Sequence, residues 1–187
     1  MRAQAAKSIR LKKGDFSVRP TLSKVRQALF NIVAPRIEGA VFFDLYAGTG
    51  AIGMEAMSRG ASTVYFVESE RKLANGLNAL LDGCGCRTKA VIFNAKAADF
   101  LEKAARGGIK ADIIFLDPPY ASGELEAAIK LLAGKSSSVL AGGAVVIAEH
   151  PTRNAAPEAP GVLEKKRAYK YGDTTLTLYE VVSRAGK

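Results

Sequence analysis

The chain holds no tryptophan, one histidine and two cysteines in 187 residues. His150 alone, with Cys84 and Cys86 as a C-x-C pair, gives no cluster with metal-ligand spacing, so no metal is expected. Two cysteines also exclude a disulfide-built secreted scaffold. Beside Gly83 and Gly85, they read as reduced thiols in a turn of a cytoplasmic protein. No apolar run approaches the length of a membrane span, so no membrane partner is expected. The first residues, MRAQAAKSIRLKKGD, are basic but lack the apolar stretch of a secretory signal.

Acidic residues are almost missing from one end. Residues 1–36 carry nine Lys/Arg against the single acid Asp15, a balance of +8. The other 151 residues carry 18 against 17, a balance of +1. Nearly all of the formal charge of +9 therefore lies in the first fifth of the chain, where Arg10, Lys12 and Lys13 make a candidate polyanion-binding surface. A second cluster, Lys165, Lys166, Arg167 and Lys170, lies near the other end. With 48% hydrophobic residues the chain can bury a full core, and its length suits one domain. The expected division is a basic extension with a helix over 1–36 and a main domain over 37–187.

Short apolar runs alternate with helical patterns. Strands are expected at Val41–Leu45, Thr63–Val67, Ala90–Phe93, Asp112–Leu116 and Ala144–Ala148. Helices are expected at Thr21–Val33, Ala51–Arg59, Glu70–Leu81, Ala97–Arg106 and Glu124–Leu132. Thr21 is the expected N-cap of the first, with Leu22, Val25, Leu29 and Ile32 as its apolar face. In the third, Leu73, Leu77, Leu80 and Leu81 make one apolar face. The rhythm breaks at Leu163–Tyr171 and Thr175–Val182, which read as a hairpin across Gly172-Asp173. The expected fold is α/β and Rossmann-like: a mostly parallel seven-stranded sheet, helices on both faces, and an antiparallel hairpin at the end.

Gly48-Thr49-Gly50-Ala51-Ile52-Gly53 fits the G-x-G-x-x-G pattern of dinucleotide sites. Asp44, at the tip of the preceding strand, does not suit a pyrophosphate. It suits S-adenosylmethionine, whose ammonium and sulfonium are cationic. Ala47, Gly48, Thr49 and Gly50 then form a loop that lets the backbone approach the amino-acid portion. Glu68, 20 residues after Gly48, is placed to accept ribose hydroxyls, a device that NAD enzymes share.

Asp117-Pro118-Pro119-Tyr120 follows a strand directly, and two prolines force the chain out of the sheet at its ligand-binding end. The Asp117 carboxylate and the Pro118 carbonyl offer two acceptors, and Tyr120 a flat face. That set fits an exocyclic amine on a flipped, stacked base. Such an amine is a weak nucleophile, and accepting its N–H bonds directs its lone pair at the methyl group. His150 reads as structural, since this chemistry demands no histidine base.

FFDLYAGTGAIGMEAMSRGAS, VYFVE and ADIIFLDPPY together resemble class I methyltransferases that modify exocyclic amines. With RPTLSKVRQALFNIV upstream and YGDTTLTLYE near the end, the chain resembles the bacterial 16S rRNA guanine-N2 methyltransferase family from about Arg19 to Glu180. The resemblance implies S-adenosylmethionine bound by Asp44, Gly48, Gly50 and Glu68. It implies catalysis by Asp117, Pro118, Pro119 and Tyr120, with Arg19, Pro20, Thr21 and Arg26 covering cofactor and substrate. The implied partner is 16S rRNA or an assembling 30S subunit, and the expected state is a monomer. Relatives contact adenine with a residue pair after the third strand. Here the pair is Lys96-Ala97, or Asn94-Ala95 in another register. Activity on DNA adenine or a glutamine amide, and a catalytically silent RNA-binding role, are the competing readings.

Overall fold

A computed structural model describes residues 20–182 apart from position 121. Arg10, Lys12, Lys13 and Arg19 lie outside the described residues. Seven strands form one sheet in the order β3-β2-β1-β4-β5-β7-β6. The strands are β1 (Val41–Asp44), β2 (Thr63–Val67), β3 (Ala90–Phe93), β4 (Ala111–Leu116), β5 (Leu140–Pro151), β6 (Leu163–Tyr171) and β7 (Thr174–Val181). The first five pair in parallel, and β7 runs antiparallel between β5 and β6. The helices are α1 (Pro20–Val33), α2 (Ala51–Ser58), α3 (Arg71–Cys84), α4 (Ala97–Arg106) and α5 (Glu124–Ala133).

Both faces of the sheet are covered, and period-two alternation assigns neighbouring strand residues to opposite cores. Phe42, Ile113 and Val145 face Val25 and Leu29 of α1, Ala56 of α2, and Leu77 and Leu81 of α3. Phe43, Ile114 and Val146 face Phe100 of α4 and Ile129 of α5. All six of these strand residues are buried, each contributing about 1.5–3 kcal/mol of apolar transfer energy at most. Helix α1 thus packs into the same core as the sheet. The strand order reverses between β1 and β4, so the crevice for a ligand opens at their carboxyl ends.

Four expectations need correction. Helix α1 begins at Pro20, so Thr21 lies inside its first turn and is not the N-cap; proline suits a first helical position because its missing N–H has no partner there. Leu80 is 42% exposed, because Ala74, Leu77 and Leu81 form the buried stripe of α3 and Leu80 falls on its flank. Cys84 is the last residue of α3 rather than part of a turn, and its side chain sits beside that of Cys86. Strand β5 is far longer than Ala144–Ala148. It begins before the Gly142-Gly143 irregularity and continues through Glu149, His150 and Pro151, which pair with Leu176, Thr175 and Thr174 of β7. No local pattern announces that extension, because pairing with a distant strand creates it.

Candidate active site

The glycine loop leaves β1 and feeds α2. Gly48 and Gly50 take positive φ, 53° and 82°, which residues with a Cβ rarely adopt. Gly50 caps α2, and a Cβ there would run into Leu77. Gly53 lies against the ring of Phe66, so the third glycine of the pattern serves close packing of α2 on β2.

Two carboxylates hold this loop. Asp44 is 1% exposed, and its Oδ2 accepts the Gly53 N–H at 3.0 Å, in the first turn of α2. Burial raises the Asp44 pKa to about 7; the Gly53 N–H opposes that rise, and Asp117 and Glu68 add to it. Glu68 accepts the Gly48 N–H at 2.8 Å and the Glu70 N–H at 2.7 Å. Each carboxylate oxygen keeps a second lone pair. Asp44 and Glu68 therefore shape the loop as well as presenting negative charge to the crevice.

The crevice has two lobes. One, of about 460 Å³, is lined by Val25, Arg26 and Leu29 of α1, by Asp44 and Ala47–Thr49, and by Phe115. The other, of about 600 Å³, runs past Glu68, Ser69 and Leu73 to Pro118, Pro119 and Tyr120. Tyr46, Asp117 and Glu149 line both. Arg26 Nε pairs with Glu55 Oε2 of α2 at 3.1 Å, tying α1 across the mouth of the first lobe.

The Asp117–Tyr120 turn leaves the sheet as the two prolines dictate. Tyr120 is half exposed, and its hydroxyl lies 3.4 Å from Thr174 Oγ1. Asp117 presents surface to solvent but is walled by protein on its other sides, and that crowding raises its pKa. Glu149 of β5 is 7% exposed. Burial raises its pKa first, the Asp117 charge raises it further, and the Tyr120 hydroxyl opposes the rise. Sequence reasoning gave Glu149 no part, because it falls beyond the expected end of its strand. The signal that could have found it is the acid one residue past the apolar run Val145–Ala148, matching Asp117 one residue past β4.

Other predicted residues lie elsewhere. Lys96 is the exposed N-cap of α4, and Ala97 is buried in the core with Phe100; neither lines either lobe. Asn94 donates to the carbonyls of Glu68 and Ser69 at 2.9 and 3.0 Å, which fixes the β2 end. His150 has the structural role expected of it: Nε2 lies 2.8 Å from Thr177 Oγ1 and Nδ1 lies 3.1 Å from the Pro151 carbonyl. Lys165, Lys166 and Arg167 lie exposed on the edge strand β6, where charge discourages pairing with another chain. Among the described residues no group of His, Cys, Asp and Glu could hold a metal, and no helix is long and apolar enough to cross a membrane.

Comparison with known proteins agrees with this layout. The family model described as conserved hypothetical protein 95 matches residues 3–180. Ribosomal RNA small subunit methyltransferase D of Escherichia coli K12 is 34% identical, over 87% of this chain and 79% of the relative. The structure titled "Putative methyltransferase yhhF from Escherichia coli" superimposes with a TM-score of 0.77 at 33% identity, covering 86% of this chain and 87% of that one. A hypothetical protein of Thermus thermophilus gives 0.73 at 29% identity, covering 92% and 94%. The fold is therefore that of the class I methyltransferases, and the chain belongs to the family of the ribosomal RNA small subunit methyltransferases D.

Proposed function

We propose that this protein transfers a methyl group from S-adenosylmethionine to the exocyclic N2 amine of a guanine in 16S rRNA. The observation that carries the reading is the position of the Asp117–Tyr120 turn, whose carboxylate lines both lobes of the crevice that begins at the glycine loop. The names of the relatives supply the RNA class.

The residues present fit the cofactor. Asp44 places an acid beside the glycine loop in the first lobe, and Gly48 and Gly50 leave two positions of that loop without a Cβ. S-adenosylmethionine supplies a methyl group on a cationic sulfur. Asp44 attracts its ammonium, and Glu68 accepts from its ribose with the lone pairs that the backbone leaves free. Ser69 and Leu73, beside Glu68, are better placed to flank an adenine than Lys96 and Ala97. Asp117 and the Pro118 carbonyl accept the N–H bonds of the amine, Tyr120 stacks on the base, and water takes the proton lost after transfer. Arg19, Thr21 and the α1 residues around Arg26 cover the complex, with Arg10, Lys12 and Lys13 on RNA phosphates.

Labelled S-adenosylmethionine should be incubated with small ribosomal subunits, with protein-free 16S rRNA from the same strain lacking the endogenous activity, and with DNA. The reading expects label in one of the two RNA samples and none in DNA. Label in DNA or protein, or in no sample, overturns it.

A further inference from the structure

Leu116 of β4 pairs with Ala148 of β5 in parallel register, so Asp117 and Glu149 are next-door neighbours where β4 ends. Their surroundings differ from those of the other two acids of the crevice. Asp44 and Glu68 accept backbone N–H groups. Among the described residues no backbone N–H donates to Asp117 or Glu149. Glu149 is nonetheless more than nine-tenths buried and lines both lobes. The Tyr120 hydroxyl reaches Glu149, which leaves most of the carboxylate's lone pairs free on the cavity side for the donors of a ligand.

Guanine supplies them. Its N1–H and the two N2–H bonds lie along one edge, all donors. A single carboxylate can accept N1–H and one N2–H side by side, as it does from a guanidinium. A second carboxylate can accept the remaining N2–H. Adenine and 2-aminopurine break this match, because each carries an acceptor nitrogen at N1 beside its amine.

We propose that Glu149 selects guanine by accepting its N1–H and sharing one N2–H with the Pro118 carbonyl, while Asp117 takes the other N2–H. This inference rests on the reading of the Asp117–Tyr120 turn as the target-base site. Asp117 orients the amine, and Glu149 reads the ring beside it. Sites built around a substrate donor reject analogues lacking it strongly, because their own buried acceptor is left unpaired.

The test uses the RNA substrate with guanine or 2-aminopurine at the methylated position, in single-turnover transfer. The 2-aminopurine base keeps the C2 amine and loses only the N1–H and the O6 carbonyl. Wild type should prefer guanine by about 100-fold or more. Glu149→Gln presents one acceptor and one donor, which suits 2-aminopurine. It should slow transfer to guanine and shrink the preference at least about tenfold, both bases being compared at saturating S-adenosylmethionine in a protein that still folds. An unchanged preference in a folded Glu149→Gln protein overturns the inference. Wild type that methylates both bases equally overturns it without any variant. Wild type that leaves guanine untouched in RNA overturns the functional reading, and this inference with it.

Discussion

Asp117, just past β4, and Glu149, within β5, each lie one residue beyond the paired Leu116 and Ala148, and both line the two lobes of one crevice. Burial makes Glu149 harder to ionise and the neighbouring Asp117 charge adds to the effect, while burial raises Asp117. A ligand edge made of N–H donors relieves that repulsion, which links a feature of strand register to the choice of substrate.

Asp117→Ala should leave S-adenosylmethionine affinity nearly unchanged and slow methyl transfer on the order of 100-fold or more, the scale for losing one preorganised acceptor. Calorimetry with S-adenosylhomocysteine and single-turnover rates measure the two separately. A wild-type rate would remove Asp117 from the chemistry.

Tyr120→Ala should weaken RNA binding by about 1–3 kcal/mol through lost stacking, and Tyr120→Phe should be mild. The hydroxyl's contact with Thr174 is long, 3.4 Å, so it adds little to the ring's placement. Equal damage from Phe and Ala in a binding titration would shift the weight to the hydroxyl.

Asp44 makes a pH prediction. Its pKa is raised from 3.8 to about 7, so between those values the folded chain holds a proton that the unfolded chain has released. Stability is therefore lost as pH rises through that window, by about 1.4 kcal/mol per unit for one proton. Asp44→Asn keeps an acceptor for the Gly53 N–H, and it should flatten urea-derived stability between pH 5 and 7. Cofactor affinity should tighten as pH rises toward 7 in wild type, since a bound cation favours the ionised carboxylate. The variant should bind about 1–3 kcal/mol more weakly, with the pH dependence reduced.

Much of this site is legible in the sequence, for local reasons. The glycines, Asp44 and the Asp-Pro-Pro-Tyr turn announce themselves because backbone geometry and strand exit depend on neighbouring residues. Ala97–Arg106 and Leu163–Tyr171 have the bounds expected of them. Glu149 was missed because β5 continues only by pairing with β7, a relation between residues about 25 positions apart. Likewise the buried stripe of α3 is set by what it packs on, so Leu80 could not be told from Leu81 by spacing alone.

The basic N-terminus should hold RNA phosphates. Each contact with single-stranded RNA adds about 0.7 to the slope of log affinity against log salt, so replacing Arg10, Lys12 and Lys13 with Ala should lower that slope by about 2. Cofactor affinity should stay constant. Coincident lines for wild type and variant across a salt series would leave the segment without a docking role.

The most direct test of the central claim is the identity of the methylated nucleoside. RNA treated with wild type and with Asp117→Ala is digested completely and the nucleosides are identified by mass spectrometry against standards. The account predicts N2-methylguanosine from wild type and almost none from the variant. Methyl groups on adenine N6, on a ring carbon or on ribose would contradict it, as would equal N2-methylguanosine from both proteins.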